Sequence, residues 1–340
     1  MDFQSDNAAA ACPEVLDALI AANQRTPVAY DGDAWSQRLD GVFGEFFGHA
    51  CVVLPVSTGS AANALGLAAL VPSFGAVATH ADAHIHVDEC GAPEFFTGGA
   101  KLLLCPGAQG KLTPDGLDAG LAGHRGDVHQ VQIRALSCTQ STEAGTVYTP
   151  AELARLGDYA AARGWRFQLD GARFANALVT LGCHPGEISW RAGVDVLSFG
   201  AIKNGGLSAE ALVVFETGLA DELRFRRKRA GQMPSKGRFQ AAQLLAYIET
   251  GAWQRNAARA NAGAVRLAAA AGARLLHPVE ANEVFVGLGS HVAAVRAQGF
   301  GFYDWGARDS GEARFVVAWD TPDADIDALA AALALLPPAG

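Results

Sequence analysis

Short apolar runs alternate with segments of helical periodicity between about residue 50 and residue 216. Apolar strands that alternate with helices are typical of a mostly parallel sheet covered by helices on both faces. The pattern therefore predicts an α/β fold with a seven-stranded main sheet. The predicted strands are Cys51–Val56, Ala76–Thr79, Lys101–Cys105, Val128–Leu136, Trp165–Leu169, Val194–Phe199 and Ala211–Phe215. The predicted helices between them are Ala61–Leu70, Pro114–Ala122 and Pro150–Arg163.

The pattern changes after about residue 217, where a basic stretch, Arg224–Arg238, is followed by a long helical segment, Phe239–Ala271. Beyond it, strands and helices in the order βαββα predict a smaller α+β domain. Its predicted elements are Glu283–Leu288, His291–Gln298, Gly301–Trp305, Arg314–Trp319 and Asp323–Leu336. We expect an N-terminal segment (1–25), a large domain (26–223), a basic segment with a linking helix (224–271) and a small C-terminal domain (272–340).

Charge and hydropathy argue against several classes of function. The chain has 26 Lys and Arg against 35 Asp and Glu, a net charge of −9, which disfavours a nucleic-acid-binding protein held by phosphate contacts. No apolar run approaches the ~20 residues that a membrane-spanning helix needs. The amino terminus lacks the features of a signal peptide, so we expect a cytoplasmic location. With five lysines in the sequence, few residues can perform chemistry that needs a primary amine.

Three motifs follow predicted strands, where open α/β sheets bind their ligands. In Ser57–Asn63, hydroxyl groups, a glycine and the start of a helix suit a phosphate, although an ordinary Ser/Thr helix cap is equally consistent with this motif. Asp170 lies at the carboxyl end of an apolar strand, where it could bind a ligand. The alternative interpretation is that its carboxylate only caps a turn. Lys203 follows a buried strand and lies among glycines. A desolvated lysine there suits a Schiff base, and a loop lysine that points into water is the alternative.

Together, the three motifs match what pyridoxal 5'-phosphate (PLP) requires of a protein. The phosphate needs an anion site, the pyridine nitrogen needs a carboxylate that keeps it protonated, and the aldehyde needs a lysine. The order of the motifs along the chain is that of the aspartate-aminotransferase-like superfamily. We therefore expect PLP to bind in the large domain.

Nearly the whole chain resembles the low-specificity L-threonine aldolases, a group related to the β-eliminating aromatic amino-acid lyases. The subgroup that it resembles most is bacterial and includes phenylserine-type aldolases. This resemblance implies PLP-dependent transferase fold type I. It also implies reversible cleavage of L-threonine, L-allo-threonine and related β-hydroxy-α-amino acids to glycine and an aldehyde. The resemblance rests on Ser5-Asp6, the run Tyr30 to Asp33, the turn Ser57 to Asn63, Asp82-Ala83-His84, the run Asp170 to Arg173, the run Ser198 to Gly205 and the run Arg227 to Gly231.

The resemblance assigns a role to each candidate residue. Lys203 forms the Schiff base, Asp170 pairs with the pyridinium nitrogen, and His84 stacks on the ring close to the substrate hydroxyl. His129 corresponds to a second active-site histidine, so that His84 or His129 is the candidate base. The expected cofactor-binding residues are Thr58, Gly59, Ser60, His84, Asp170, Arg173, Lys203 and Lys236. The expected substrate-binding residues are Ser5, Tyr30, Arg173 and Arg314.

Two expectations concern the basic segment and the assembly. The family has an arginine that clamps the phosphate, and the corresponding run here offers Lys236, with Arg238 as the alternative. Tyr30 is expected to reach the site of a neighbouring subunit, because family members are typically homotetramers built as dimers of dimers.

Two other functions stay open at this point. Another PLP-dependent reaction, such as β-elimination or racemisation, would use the same scaffold. A metal-dependent hydrolase would instead use His80, His84 and His86, because alternating histidines in an extended segment can converge on a metal ion. We expect no metal, because one ring-stacking histidine and its neighbours in a turn explain the same run.

Overall fold

A computed structural model describes residues 1–26 and 28–337, which form two β-sheets. Within these residues the larger sheet has seven strands: β1 (Val52–Val56), β2 (Gly75–His80), β3 (Lys101–Cys105), β4 (Gln132–Thr139), β5 (Arg166–Gly171), β6 (Val196–Phe199) and β7 (Glu210–Val214). They lie in the order β1-β7-β6-β5-β4-β2-β3. Strand β7 is antiparallel to β1 and β6, and the other neighbouring strands pair in parallel. The mostly parallel seven-stranded sheet predicted from the sequence is confirmed.

Helices pack on both faces of this sheet because successive strand residues point to opposite sides. Val53 belongs to one hydrophobic cluster with Phe43 and Leu153, whereas its neighbour Leu54 belongs to another with Leu65. The described helices in the first 230 residues are α1 (Pro13–Ala22), α2 (Leu39–Phe47), α3 (Gly59–Leu70), α4 (His84–Val87), α5 (Ala92–Thr97), α6 (Pro114–Gly120), α7 (Pro150–Ala161), α8 (Phe174–Leu181) and α9 (Ala220–Arg229). No helix in residues 1–26 and 28–337 is long and apolar enough to cross a membrane.

The smaller sheet is antiparallel and has its own hydrophobic cluster, which includes Phe315 of the sheet and Leu267 and Leu329 of two helices. Phe3, near the amino terminus, packs into the same cluster. Its strands lie in the order β8-β10-β9, where β8 is Glu283–Gly287, β9 is Tyr303–Trp305 and β10 is Glu312–Val316. The remaining helices are α10 (Arg238–Glu249), α11 (Ala252–Ala271), α12 (Val292–Ala297) and α13 (Asp323–Ala334).

Several element boundaries differ from the sequence predictions. The long segment Phe239–Ala271 is two helices rather than one, because Gly251 has a φ of 73° and breaks the chain between α10 and α11. The strand predicted from Val128 begins at Gln132, after a polar loop. The basic stretch includes most of α9. The domain boundary predicted at residue 224 therefore falls inside a helix. The four-part domain division stays a proposal.

The topology brings the candidate chemistry to one edge of the main sheet. Strands β1, β2, β4, β5 and β6 share one direction, so their carboxyl ends meet there. Strand β7 runs the other way and begins at this edge, where Glu210 is the register partner of Val56. Loops after these strands therefore supply the side chains of one common site, as is usual in open α/β sheets.

Candidate active site

Two adjoining cavities open at this edge of the sheet, with volumes of about 440 Å³ and 600 Å³. Thr58, Gly59, Ser60 and Asp170 line the first cavity. Ser5 and Arg314 line the second cavity. The residues that line both are Asn7, His84, Asp88, Glu143, Arg173 and Lys203. The three sequence motifs therefore meet in one place.

The amino end of α3 forms one wall of the first cavity. Thr58 has extended backbone (φ −148°, ψ 155°), and its Oγ1 accepts a hydrogen bond of 3.1 Å from the N–H of Ala61, which caps the helix. The space beside Gly59 is open, since a Cβ added there would meet no atom within 4 Å. Unpaired amides of the first turn, the helix dipole and this open space suit a bound anion such as a phosphate.

Asp170 is buried at the carboxyl end of β5, where amide donors orient its carboxylate. Its Oδ1 accepts a hydrogen bond of 3.0 Å from the N–H of Ala172, and its Oδ2 accepts one of 2.7 Å from Nδ2 of Asn63. Asn63 is held in turn by Gln168, whose Nε2 donates to its Oδ1 at 3.0 Å. A carboxylate fixed in this way can pair with one positively charged group in the cavity.

His84 is the first residue of α4, and the buried carboxylate of Glu89 holds its imidazole. Its Nδ1 lies 2.9 Å from Oε1 of Glu89, and the same oxygen accepts a hydrogen bond of 2.8 Å from Nδ2 of Asn63. The hydrogen bond to Glu89 raises the pKa of His84, against the opposing effect of burial. The imidazole is therefore oriented by the same asparagine network that holds Asp170, and Nε2 is the ring nitrogen left for a ligand.

Lys203 follows β6 in a short loop that a second buried carboxylate holds in place. Oε2 of Glu210 accepts a hydrogen bond of 2.7 Å from the N–H of Ala201. Burial raises the pKa of Glu210 to about 7. The loop passes close to the turn after Asp170, and only glycine fits at position 200, because a Cβ there would lie 2.3 Å from the carbonyl oxygen of Ala172. This close approach brings the lysine and the aspartate to the same cavity.

Arg173 lies between the two cavities, and carboxylates already bind its guanidinium. Its Nε and Nη2 donate to the two oxygens of Asp6 at 2.8 and 2.9 Å, and its Nη1 lies 3.2 Å from Oε2 of Glu283. Asn282 also donates to Asp6, at 2.9 Å. All these groups are largely buried. The pair therefore ties the amino-terminal segment to the turn that follows Asp170.

Replacement of Asp6 with asparagine is expected to lower the free energy of unfolding by about 3 kcal/mol at pH 7, the lower end for breaking a buried ion pair, because Glu283 still faces the guanidinium. Burial acts to raise the pKa of Asp6, but the charges of Arg173 and Lys203 outweigh it and lower this pKa. The stabilisation is therefore present above the pKa of unfolded Asp and is lost as the pH falls through the lower folded value. Urea unfolding of wild type and Asp6→Asn at pH 7 and pH 3 measures the difference. Asp17→Asn, at an exposed position of α1, is the control; equal stability of wild type and Asp6→Asn at pH 7 would refute the prediction.

Arg314 lies on β10 and offers a less occupied guanidinium to the second cavity. Its Nη1 is 3.7 Å from Oε1 of Glu283, and the buried Nε has no hydrogen-bond partner among the described residues. The guanidinium carbon lies 4.7 Å from the ring centre of Trp305 and 5.4 Å from that of Tyr303. Burial lowers the pKa of Arg314. A planar guanidinium held between aromatic rings, with an unsatisfied donor, suits a carboxylate ligand.

His129 lines neither cavity of its own chain, and its assignment to the site stays a prediction. It is exposed in the loop before β4, and its backbone N–H donates to Asp127 at 3.0 Å. The chain then runs the length of β4 before Thr139 reaches the cavity. His129 is therefore at the opposite end of the strand from the site.

Lys236, Arg238 and Tyr30 also lie outside the two cavities. Lys236 is exposed, and Nε of Arg238 donates to the carbonyl oxygen of Ala22 at 3.0 Å, so neither contacts the amino end of α3. Tyr30 is half-exposed, with the ammonium of Lys228 4.3 Å from its ring centre, and lines a third cavity of about 350 Å³. Lys236 and Arg238 therefore line neither cavity of their own chain. The expectation that Tyr30 reaches the site of a neighbouring subunit stays a prediction.

The histidine run does not form the metal site considered above. Nε2 of His80 is 3.0 Å from the carbonyl oxygen of Gly107, and its Nδ1 accepts a hydrogen bond from Asp82. Among the described residues, one set of three or more histidine, cysteine and acidic side chains has ligand atoms that all lie within 4.8 Å of one another, and it consists of His84, Glu89 and Asp170. His80 and His86 therefore do not converge with His84.

The profile of the family described as beta-eliminating lyase matches residues 2–290. The chain belongs to this family. A low specificity L-threonine aldolase of Pseudomonas aeruginosa is 44% identical over 324 residues, which cover 94% of this chain and 93% of that protein. Another, from a Pseudomonas species, is 42% identical over 334 residues, which cover 97% and 96%. The solved structure of the Leishmania major threonine aldolase superposes with a TM-score of 0.91, at 25% identity and 98% coverage of both chains.

These comparisons confirm the resemblance to the threonine aldolases, PLP-dependent transferase fold type I and PLP as the cofactor. The residues of the first cavity fit PLP. The open amino end of α3 can take its phosphate, the oriented carboxylate of Asp170 can pair with its protonated nitrogen, and the amine of Lys203 can bind its aldehyde. The space beside Gly59 is what a phosphate that touches backbone requires.

Sequence reasoning missed the buried residues that hold the site together. The four carboxylates missed as site residues are Glu89, Glu143, Glu210 and Glu283. They lie in loops or at the first residue of a strand, where a glutamate looks solvent-exposed in the sequence. Asn63 belongs to the motif Ser57–Asn63, but its role was not predicted. Its position one turn into α3, on the side that faces Asp170, could have indicated that role.

Proposed function

We propose that this protein is an aldehyde-lyase that cleaves L-threonine, L-allo-threonine and related β-hydroxy-α-amino acids, phenylserine among them, reversibly to glycine and an aldehyde. The main evidence is that the cavity lined by Lys203 and Asp170 adjoins a cavity lined by Ser5 and Arg314. A PLP site thus lies next to an amino-acid carboxylate site. The aldolase names of the most similar relatives support the same assignment.

The cofactor would be held by the residues of the first cavity. Thr58, Gly59 and Ser60 bind the phosphate, Asp170 keeps the ring nitrogen protonated, and Lys203 binds the aldehyde carbon. When bound, PLP supplies an electron sink for the bond that breaks at the substrate Cα. His84, oriented by Glu89, would lie against the ring and close to the substrate hydroxyl, and its place in the lining of both cavities supports this role.

The substrate would be oriented by the second cavity. Arg314 and Ser5 bind its carboxylate, and Arg173 assists from the boundary of the two cavities. A substrate whose carboxylate is held by Arg314 and whose amine takes the place of the Lys203 amine would have its Cα in one fixed orientation, which would determine the bond that breaks. Orientation of this kind contributes several kcal/mol to a rate.

Replacement of Arg314 with alanine is expected to raise KM for L-threonine about 10–100-fold, because a hydrogen bond to a charged group contributes ~1.5–3 kcal/mol. Steady-state kinetics measure the change. Arg308→Ala is the control, since that arginine has a side chain that is 96% exposed on the loop before β10. An unchanged KM in Arg314→Ala would show that another group binds the carboxylate.

Incubation of the PLP-loaded protein with L-threonine, L-allo-threonine and phenylserine tests the proposed reaction. Equal amounts of glycine and aldehyde are expected from at least one of them. A 2-oxo acid with ammonia would instead indicate β-elimination, and a D-amino acid would indicate racemisation. Either of these products in place of glycine would overturn the aldolase assignment. Activity lost on chelation and independent of PLP would favour the metal-dependent hydrolase.

The assembly and location are part of the proposal. A homotetramer built as a dimer of dimers, in which Tyr30 reaches a partner's site, is supported by the exposure of Tyr30 away from its own site. Sedimentation equilibrium measures the assembly. A cytoplasmic location is supported by six cysteines that are all unpaired, as is usual in a reducing compartment.

A further inference from the structure

Glu143, in the loop after β4, has a buried carboxylate that lines both cavities. Its Oε1 accepts two hydrogen bonds, from Oγ1 of Thr139 at 2.6 Å and from the backbone N–H of His84 at 2.9 Å. Its Oε2 is buried and has no hydrogen-bond partner among the described residues. An unsatisfied carboxylate oxygen is costly, which makes it a strong candidate to bind a donor from a ligand.

Glu143 lies at the boundary between the two cavities, where the reacting part of a substrate would lie. Lys203 and Arg173 border the same boundary, so the amine end and the carboxylate end of an amino acid meet beside this glutamate. The β-carbon of such a substrate extends away from both ends. A hydroxyl group on that carbon is then the donor that Oε2 lacks.

The charge environment suits a group that exchanges a proton near neutral pH. Burial raises the pKa of Glu143 to about 7, and the negative charge of Asp170 acts in the same direction, while its two hydrogen-bond donors oppose the shift. His84 is less suited to accept a proton, because its bond to Glu89 raises its pKa and favours the protonated ring. The titratable and charged groups around Glu143 are Asp82, His84, Asp88, Glu89, Cys138, Tyr148, Asp170, Arg173 and Lys203.

We propose that Glu143 is the base that takes the proton of the substrate's β-hydroxyl group, an inference that rests on the proposed aldolase function. The O–H proton moves to Oε2, and the O–H electron pair becomes the second bond of the aldehyde carbonyl. The Cα–Cβ bond breaks, and its electron pair stays with the glycine fragment until Cα receives a proton. Glu143 then loses its proton, so the net reaction neither consumes nor releases one. Thr139 and the backbone of His84 position the carboxylate through Oε1.

The Glu143→Gln variant tests the proposal, because glutamine keeps an oxygen for Thr139 and His84 but cannot accept the proton. We expect kcat for L-threonine cleavage to fall at least about 100-fold, the lower range for loss of a general base. Exchange of the glycine α-hydrogen with D₂O, followed by NMR, involves no β-hydroxyl and should change by less than about threefold. Glu143→Asp, which keeps the base but shortens its reach, should recover part of the cleavage rate. Glu216→Gln, at a half-exposed position after β7, is the matched control.

The pH dependence gives two further readouts. Cleavage by the wild type should rise as the pH passes about 7, and this rise should be absent from Glu143→Gln. A carboxyl group with a raised folded pKa stabilises the protein at low pH and loses that stabilisation as the pH rises through the folded value. The Tm of the wild type relative to Glu143→Gln should therefore fall by at least about 2 °C between pH 6 and pH 8.

The outcomes separate this proposal from the proposed function. Cleavage by Glu143→Gln at about the wild-type rate would overturn the role of Glu143 and leave the aldolase intact. An equal loss of cleavage and of glycine exchange would also overturn it, because Glu143 would then support the site rather than act on the hydroxyl. A wild type that neither cleaves L-threonine nor exchanges the glycine α-hydrogen would overturn the proposed function itself.

Discussion

Replacement of Lys203 with alanine is expected to lower kcat/KM for L-threonine by at least about a thousandfold, or more than ~4 kcal/mol of transition-state stabilisation. The substitution removes the lysine amine, which binds the cofactor aldehyde and which the substrate amine later replaces. The visible absorbance that the bound cofactor gives when it is joined to a lysine should disappear as well. Steady-state kinetics and an absorbance spectrum of the PLP-loaded variant measure both effects.

Lys101→Ala is the matched control, because Lys101 is exposed at the start of β3. It should retain both the absorbance and the cleavage rate. If Lys203→Ala kept the absorbance, another lysine would hold the cofactor and the central assignment would fail. Circular dichroism spectra of both variants check that neither substitution unfolds the protein.

Replacement of Asp170 with asparagine is expected to lower kcat by about 10²–10⁴-fold. Asparagine cannot keep the pyridine nitrogen protonated, so the electron sink at Cα is weakened. It also places an amide nitrogen or a neutral oxygen 2.7 Å from Nδ2 of Asn63, which loses a charge-assisted hydrogen bond. Kinetics and a titration with PLP separate the loss of rate from a loss of cofactor affinity.

Asp158→Asn, at an exposed position of α7, is the control for this substitution. An Asp170→Asn variant with wild-type kcat would show that Asp170 only caps the turn before Arg173, the plainer alternative for this residue. A variant that loses PLP affinity alone, with kcat unchanged at saturating PLP, would give the carboxylate a binding role rather than a chemical one.

The main sheet and the three site motifs could be predicted from the sequence because local pattern determines both. Strand β3 is found at its predicted bounds, and β1 differs by one residue, since continuous apolar runs are unambiguous. Lys203 and Asp170 could be predicted because a charged residue at the carboxyl end of a buried strand, or a few residues beyond it, lies at the edge of the sheet.

The rest of the site depends on contacts between residues far apart in the chain, which local pattern does not encode. Glu143 and His84 are 59 residues apart, and Asp6 and Arg173 are 167 apart, so only the folded chain brings them together. His129 was expected at the site from family resemblance, although its loop precedes β4 while the site follows it. The break at Gly251 was missed because one glycine within an apolar helical pattern is often tolerated.

Reduction of the PLP-loaded protein with borohydride, followed by peptide mass spectrometry, tests the central claim most directly. Borohydride converts the carbon–nitrogen bond between cofactor and lysine into a stable one, which marks the lysine that holds PLP. The chain offers five candidates: Lys101, Lys111, Lys203, Lys228 and Lys236. The site described above predicts the phosphopyridoxyl group on the peptide that contains Lys203. The same group on another lysine, or on none, would contradict it.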